Sequence, residues 1–192
     1  MYLGAWISQL QCLLEVVMKK TYALIVICVL LISCGSAGGG GGNVTGGSTA
    51  PTNATALAEE VFNLINNERA AEGLAALLWH AGLYDLAMGH ANDMCDRTYF
   101  DHNNPEGDGP WERAQNGTAG AYTFDIVAPP FTGIGENIAQ GPTDSATVMQ
   151  GWMNSAGHRA NILDPDWTHV AAGYVECPGD PIGPYWIQIF GL

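Results

Sequence analysis

The most constraining feature of this sequence is a glycine-rich stretch over residues 35–54. It holds eight glycines, separated mostly by Ser, Thr, Asn and Ala, and it has almost no large apolar side chains. Such a segment cannot bury enough apolar surface to offset the entropy lost on ordering, so we predict a flexible tether. The composition changes at about Thr55, and the stretch 55–192 is long enough to build one hydrophobic core. We therefore predict a tether followed by a single domain.

The residues before the tether have the pattern of an export signal. Two lysines follow Met18 and precede an apolar run over 21–32. A basic start, an apolar core and a small-residue exit are typical of a secretory signal peptide, and this run is shorter than the roughly 20 residues of a membrane span. We interpret 18–34 as a signal peptide. Residues 1–17 precede this more natural start and are interpreted as a misannotated upstream extension.

The end of the predicted signal, over 31–34, reads Leu-Ile-Ser-Cys and resembles the bacterial lipobox. In that motif the cysteine is lipidated and becomes the first residue of the mature protein, so we predict lipidation at Cys34. The alternative is an ordinary amino-terminal anchor that contains a cysteine by chance. Lipidation implies an exported protein of the cell envelope, held at a membrane (the outer membrane if the host has one), or else an extracellular protein.

The predicted mature chain is acidic. Beyond Cys34 it contains four arginines, no lysine and 18 acidic residues. A surface of this kind repels phosphate backbones, so nucleic acid is excluded as an expected partner.

Two cysteines remain in the mature chain, Cys95 and Cys177. An even pair in an exported protein can form a persistent disulfide. We predict this bond; two buried free thiols are the alternative.

The first half of the domain has helical patterning. Apolar residues at helical spacing predict one helix that ends at about Ala71 and another over 81–97. His90 lies on the apolar stripe of the second helix, where a core histidine is favoured over a ligand. Residues 101–133 are rich in Asn, Gly, Pro and Asp, which predicts a long loop, interrupted by a short helix around 111–116.

The second half mixes helix and strand. A third long helix is predicted to be capped by Thr143 or Asp144. Two strands are predicted over 169–176 and 185–190, joined by a Pro-Gly-Asp turn. Helices that flank a few strands, without strict alternation of the two, predict an α+β fold.

Three side chains are candidates for a shared site: His102, Glu136 and His158. Two imidazoles and one carboxylate can hold a divalent metal in an open site, or they can act as a general acid/base pair without metal. Their separations of 34 and 22 residues match no compact metal motif. The plainer alternatives are that His158 braces a turn after the third helix and that Glu136 bonds the backbone of its own glycine-bracketed segment.

Six motifs, in order along the domain, carry a family resemblance. They are Asn-Asn-Glu-Arg at 66–69, Phe-Asp-His at 100–102, Gly-Glu-Asn-Ile-Ala at 135–139, Trp-Met-Asn-Ser at 152–155, Gly-His-Arg-Ala-Asn-Ile-Leu at 157–163 and Tyr-Trp-Ile-Gln at 185–188. Together they resemble the CAP superfamily (cysteine-rich secretory proteins, antigen five and pathogenesis-related proteins), also called SCP-like. The resemblance covers 57–191.

The resemblance implies a three-layer α-β-α sandwich with a large exposed cleft. In the family, two histidines and two acids meet in that cleft, and some members bind zinc or another divalent cation there. The matching positions in this chain are His102, Glu136 and His158, which are the expected metal ligands. Ser155 stands where the second acid is expected, which weakens the expectation of tight zinc binding, and Glu106 is a further candidate ligand.

Two classes of function remain open. The leading one is a membrane-tethered binding module, not demonstrably enzymatic, whose cleft takes a small lipid-like or other ligand, a divalent ion or a cell-surface partner. The alternative is a metal-assisted, peptidase-like hydrolase in which His102, Glu136 and His158 surround a bound water. No catalytic residue is assigned beyond those three. A third interpretation is a structural protein of the cell envelope in which the cleft is vestigial.

Overall fold

The described part of the chain begins with a helix, and its end at Ala71 agrees with the helical spacing of apolar residues in the sequence. The computed structural model describes residues 55–192, so the predictions for 1–17, 18–34 and 35–54, including lipidation at Cys34, lie outside the described residues. Helix α1 comprises Ala56–Ala71. Within 55–192, no helix combines the length and apolar character needed to cross a membrane.

Each long helix begins at a residue whose side chain accepts a backbone hydrogen bond. The helices after α1 are α2 (Ala81–Arg97), α3 (Pro110–Asn116), α4 (Ser145–Asn154) and α5 (Ala156–Ile162). Thr55 caps α1, His80 caps α2 and Asp144 caps α4. These caps satisfy amide groups that have no partner inside the helix. The predicted bounds of α2 are confirmed, and Asp144 is the cap of α4.

A four-stranded mixed sheet forms the middle of the domain. Its strands are β1 Leu78–Trp79, β4 Ile134–Gln140, β5 His169–Val175 and β6 Tyr185–Gly191, and a separate hairpin consists of β2 Thr118–Ala119 and β3 Tyr122–Thr123. The order in the sheet is β1–β5–β6–β4, so β4 is an edge strand. Strand β1 is parallel to β5, whereas β5 and β4 are both antiparallel to β6.

Helices cover both faces of the sheet. A Cβ placed on Gly173 of β5 would lie 3.1 Å from the Cβ of Ala87, so α2 packs closely on that face. On β6, Gln188 points the other way and its Nε2 donates to the sulfur of Met149 on α4 at 3.6 Å. Successive residues of a strand point to opposite faces, so α2 and α4 lie on opposite sides. The predicted α+β, three-layer α-β-α sandwich is confirmed.

The sequence prediction missed strand β4 and the hairpin. Gly, Glu and Asn are poor strand formers, so the segment around Glu136 carries no strand signal of its own. In the fold, however, every residue of Ile134–Gln140 pairs with a residue of β6. The predicted loop over 101–133 contains the β2–β3 hairpin, and His158 lies within α5 rather than in a turn.

Large aromatic residues fill the core, and two arginines, Arg69 and Arg113, are fully buried in the domain. Trp152 and Trp186 are 1% and 0% exposed. Arg69 is also fully buried, and its guanidinium donates to the carbonyl oxygens of Ile162 and Asp164 at 2.8 and 2.7 Å. This contact places a positive charge at the carboxyl end of α5, where the helix dipole favours it. Arg69 therefore links α1 to the end of the helix that carries His158.

Cys95 and Cys177 form a disulfide, as predicted. Cys95 lies near the end of α2, and Cys177 lies just after β5. The bond therefore ties a helix to the sheet on which it packs.

Candidate functional site

The edge strand β4 directs two neighbouring polar side chains into different layers. Glu136 is opposite Ile189 of β6 and points toward the α2 side, whereas Asn137 is opposite Gln188 and points toward the α4 side. Both side chains are buried. No further strand of the described domain covers the outer side of β4, so residues from both helical layers can approach each other around it.

Glu136 holds the imidazole of His102. The Nδ1 atom of His102 lies 2.8 Å from Oε1 of Glu136, and the side chain of His102 is 49% exposed while that of Glu136 is 1% exposed. The exposed ring is thus oriented by a buried carboxylate. A carboxylate in this position sets the tautomer and the orientation of a histidine.

A buried arginine that sequence reasoning did not single out completes this arrangement. Arg113 of α3 donates from Nη2 to Oε2 of Glu136 at 2.6 Å, and its side chain is fully buried. Its Nη1 donates to the carbonyl oxygens of His102 and Asp108 at 2.6 and 2.9 Å. Arg113 therefore fixes both the carboxylate and the loop that carries His102. We refer to His102, Arg113, Glu136 and His158 as the histidine–glutamate cluster.

The charges of the cluster shift its pKa values. Burial alone would raise the pKa of Glu136, but the hydrogen bond with His102 and the charge of Arg113 outweigh it, so this pKa lies below its usual value. The hydrogen bond to Glu136 raises the pKa of His102. Burial lowers the pKa of His158, and the charge of His102 lowers it further.

Asparagine side chains join α5 to strand β4. Asn137 donates to the backbone carbonyl of His158 at 3.0 Å. Asn161 donates to the carbonyl of Glu136 at 3.2 Å and to Oδ1 of Asn137 at 2.9 Å. These bonds position His158 relative to Glu136 through the backbone. The asparagines thus link the backbone of α5 to that of β4, and the side chain of Glu136 contacts that of His102. A site shared by the side chains of His102, Glu136 and His158 stays a prediction.

The cluster fits a divalent metal poorly. Both oxygens of Glu136 are engaged by His102 and Arg113, and Ser155 offers a hydroxyl where the resemblance implies an acid. Glu106 directs both of its oxygens at Arg97, at 2.6 and 2.9 Å. Across residues 55–192, no group of three or more His, Cys, Asp or Glu side chains is arranged to hold a metal ion. Metal ligation by His102, Glu136, His158 and Glu106 stays a prediction that this geometry disfavours.

His90 is a core histidine, as predicted. It is 0% exposed, and its Nε2 lies 3.0 Å from the carbonyl oxygen of Asp101, one residue before His102. Its Nδ1 lies 3.3 Å from the hydroxyl of Tyr99. His90 thus supports the loop that carries His102.

His169 and Arg159 lie in different surroundings from the cluster. The ring of His169 is 5.6 Å from that of His80 and 5.3 Å from that of Phe131. The Nη2 atom of Arg159 lies 3.6 Å from a carboxylate oxygen of Glu72. Residue 159 lies on an exposed part of α5, so it meets the carboxylate that ends α1 rather than the cluster.

The buried state of His90 predicts a loss of stability in acid. Burial is the main reason why its pKa falls to about 4. The unfolded chain binds this proton below about pH 6.5 and the folded chain does not, so stability falls as the pH drops from 6.5 to 4. The loss attributable to His90 should approach about 3 kcal/mol at pH 4. Urea unfolding of wild type and His90→Gln at pH 7 and pH 4 measures it.

The His90→Gln variant is the control because glutamine stays polar but does not titrate in this range. The expected result is that wild type loses about 3 kcal/mol more than the variant between the two pH values. Equal losses in both proteins would contradict the assignment to His90.

The fold and the cluster agree with a family comparison. Residues 62–190 match the model of the cysteine-rich secretory protein family, CAP. The chain therefore belongs to this family.

Bacterial relatives extend the comparison. The chain is 36% identical over 143 residues to the uncharacterized protein YkwD of Bacillus subtilis, a match that covers 74% of this chain and 50% of YkwD. A crystal structure of an extracellular protein containing a SCP domain from Bacillus anthracis superposes with a TM-score of 0.58 at 31% identity, covering 70% of this chain and 39% of that one. An outer surface protein from Borrelia burgdorferi, at 19% identity and a TM-score of 0.56 over 69% of this chain and 89% of that one, shares the fold. The chain spans half or less of the length of the curated relatives it matches.

Proposed function

We propose that this chain is an exported CAP-domain protein, tethered to a membrane through Cys34, whose histidine–glutamate cluster binds a small ligand or a surface partner. The observation that carries the proposal is the half-exposed ring of His102, held by the buried pair of Glu136 and Arg113. Burying an ion pair costs desolvation energy. Because the buried pair orients an exposed ring, we assign that ring a functional role. Export draws support from the signal pattern and from the similar extracellular SCP-domain protein of Bacillus anthracis, and the anchor draws support from the lipobox-like end of the signal.

The binding proposal is tested by NMR of the histidine ring signals in the purified full chain. Three probes are titrated separately: zinc chloride, sodium phosphate and 1-octanol as a neutral lipid-like molecule. We expect at least one probe to shift the signals of His102 and His158 saturably. Replacement His102→Ala should weaken that binding at least tenfold, and His169→Ala, which changes a half-buried histidine elsewhere, should leave it unchanged. If no probe moves either ring, the binding proposal fails.

The anchor is tested by mass spectrometry of the protein recovered from its bacterial host. We expect the mature chain to begin at Cys34 with added lipid mass. A chain in which Cys34 is unmodified and still joined to Ser33 would contradict the anchor.

A second candidate is a hydrolase that uses His102 as a general base. The favouring observation is the contact with Glu136, which raises the pKa of His102 and makes this exposed ring a better proton acceptor. The test is cleavage of a fluorescent casein substrate by wild type and Glu136→Gln. A catalytic role predicts a rate at least tenfold lower in the variant, and equal rates would exclude the role.

A further inference from the structure

A cavity of about 440 Å³ lies between helix α2 and the chain segment 122–125, and none of its lining residues belongs to the histidine–glutamate cluster. One wall consists of strand β3 and the two residues after it. The other wall is one face of α2, because its residues follow helical spacing: Asp85, Met88, Gly89 and Asn92. The volume lies within the range of sites that take small molecules.

Two aromatic rings in this cavity are held in place by the fold. The hydroxyl of Tyr122 donates to a carboxylate oxygen of Asp96 at 2.5 Å, which restrains the tyrosine ring. A Cβ on Gly89 would lie 2.8 Å from Cε1 of Phe124, so the phenyl ring packs against α2 where the helix has no side chain. Both aromatic side chains are half-buried. Aromatic rings attract cations through the negative charge of their faces.

The two carboxylates of the cavity have no partner in the domain. Asp85 lies on the wall formed by α2 and Asp125 on the other wall, and neither forms a hydrogen bond or an ion pair within residues 55–192. Burial raises the pKa of the Asp85 carboxyl, and the charge of Asp125 raises it further. The two negative charges therefore repel each other, and a cation bound near both of them would relieve that repulsion.

The basic side chains of the domain are all engaged elsewhere. The stretch 55–192 has four arginines and no lysine. Arg69 donates to backbone carbonyls, Arg97 binds Asp93 and Glu106, Arg113 binds Glu136, and Arg159 lies beside Glu72. Any positive charge between Asp85 and Asp125 must therefore come from outside this stretch.

The lining of the cavity suits an organic cation better than a metal ion. Calcium takes six to eight oxygen ligands, whereas the aromatic rings and the thioether of Met88 offer none. Across the described domain, no three His, Cys, Asp or Glu side chains are arranged to hold a metal ion. A cation that carries alkyl groups can contact both the carboxylates and the rings.

We propose that this cavity binds a small organic cation, an alkylammonium or quaternary ammonium group, between Asp85 and Asp125 and against the rings of Tyr122 and Phe124. The inference goes beyond the proposed function because it concerns a second site with its own residues. The attraction of the two carboxylates and the contact with the rings supply the affinity. The acidic surface of the domain raises the local concentration of cations.

The test compares a cation with a neutral molecule of the same shape. Aromatic ring signals of the full chain are followed by NMR at pH 7 during titration with choline chloride, with 3,3-dimethyl-1-butanol or with calcium chloride. The alcohol has the shape of choline but a carbon atom in place of the charged nitrogen. We expect choline to shift the signals of Tyr122 and Phe124 saturably. The neutral alcohol should bind at least about tenfold more weakly.

Three variants separate the contributions of charge and ring. The double variant Asp85→Asn, Asp125→Asn removes both charges at exposed positions and should weaken choline binding at least about tenfold. Phe124→Leu keeps an apolar side chain without a ring and should weaken it about fivefold. Asp166→Asn removes one exposed charge outside the cavity and is the matched control, so it should leave choline binding unchanged.

The same titrations define the results that would overturn the proposal. It fails if choline shifts neither ring, if the neutral alcohol binds as tightly as choline, or if calcium saturates the same signals and choline does not. Choline binding that the double variant leaves unchanged would also overturn it. The histidine ring signals of His102 and His158 report on the proposed function separately, so either site can fail while the other stands.

Discussion

Replacement of Arg113 by methionine is expected to destabilise the domain by about 3–5 kcal/mol. Methionine preserves most of the apolar stem of the side chain but removes the charge that balances Glu136. The carboxylate is 1% exposed and would keep only its bond to His102. The carbonyl oxygens of His102 and Asp108 would also lose their shared donor. Urea unfolding at pH 7, followed by circular dichroism, measures the loss.

The double variant Arg113→Met, Glu136→Gln separates the charge from the packing. Glutamine removes the buried negative charge, so the double variant should recover a substantial part of the stability that Arg113→Met loses. Arg159→Met is the surface control: its partner Glu72 is 3.6 Å away and both side chains are about half exposed, so the expected loss is below about 1 kcal/mol. If Arg113→Met is no less stable than Arg159→Met, the buried pair does not hold the site.

Loss of the disulfide is expected to lower the free energy of unfolding by an amount comparable to that expected for Arg113→Met. Cys95 and Cys177 are separated by 82 residues. Cross-linking a loop of that size lowers the entropy of the unfolded chain, which stabilises the folded state by about 4 kcal/mol. The variant Cys95→Ala, Cys177→Ala should therefore unfold at a markedly lower denaturant concentration than oxidised wild type. The measurement is guanidinium unfolding of both proteins with and without a reducing agent.

The reducing agent supplies an internal control. It should lower the stability of wild type toward that of the double-alanine variant and should leave the variant itself unchanged. Equal unfolding midpoints for oxidised wild type and the variant would contradict a stabilising role for the bond.

Local sequence signals predicted the helices well. The bounds of α2 and the end of α1 agree with the helical spacing of apolar residues, since the face that packs on the sheet recurs every three or four positions. The two carboxy-terminal strands were also predicted, because β-branched and aromatic residues surround a clear turn. Strand β4 was missed since its pairing depends on β6, about 50 residues away, and not on its own composition.

The sequence by itself determined which chemical groups were available: two cysteines beyond the predicted signal, two histidines and a glutamate in family motifs, and a serine in place of an acid. Only the tertiary structure decided how those groups are connected. No sequence pattern singled out Arg113 as a site residue, yet its guanidinium neutralises the carboxylate of Glu136. This contact forms because α3 packs beside β4. Electrostatic balance depends on distances of a few ångströms between residues far apart in the chain, and such distances exist only after folding.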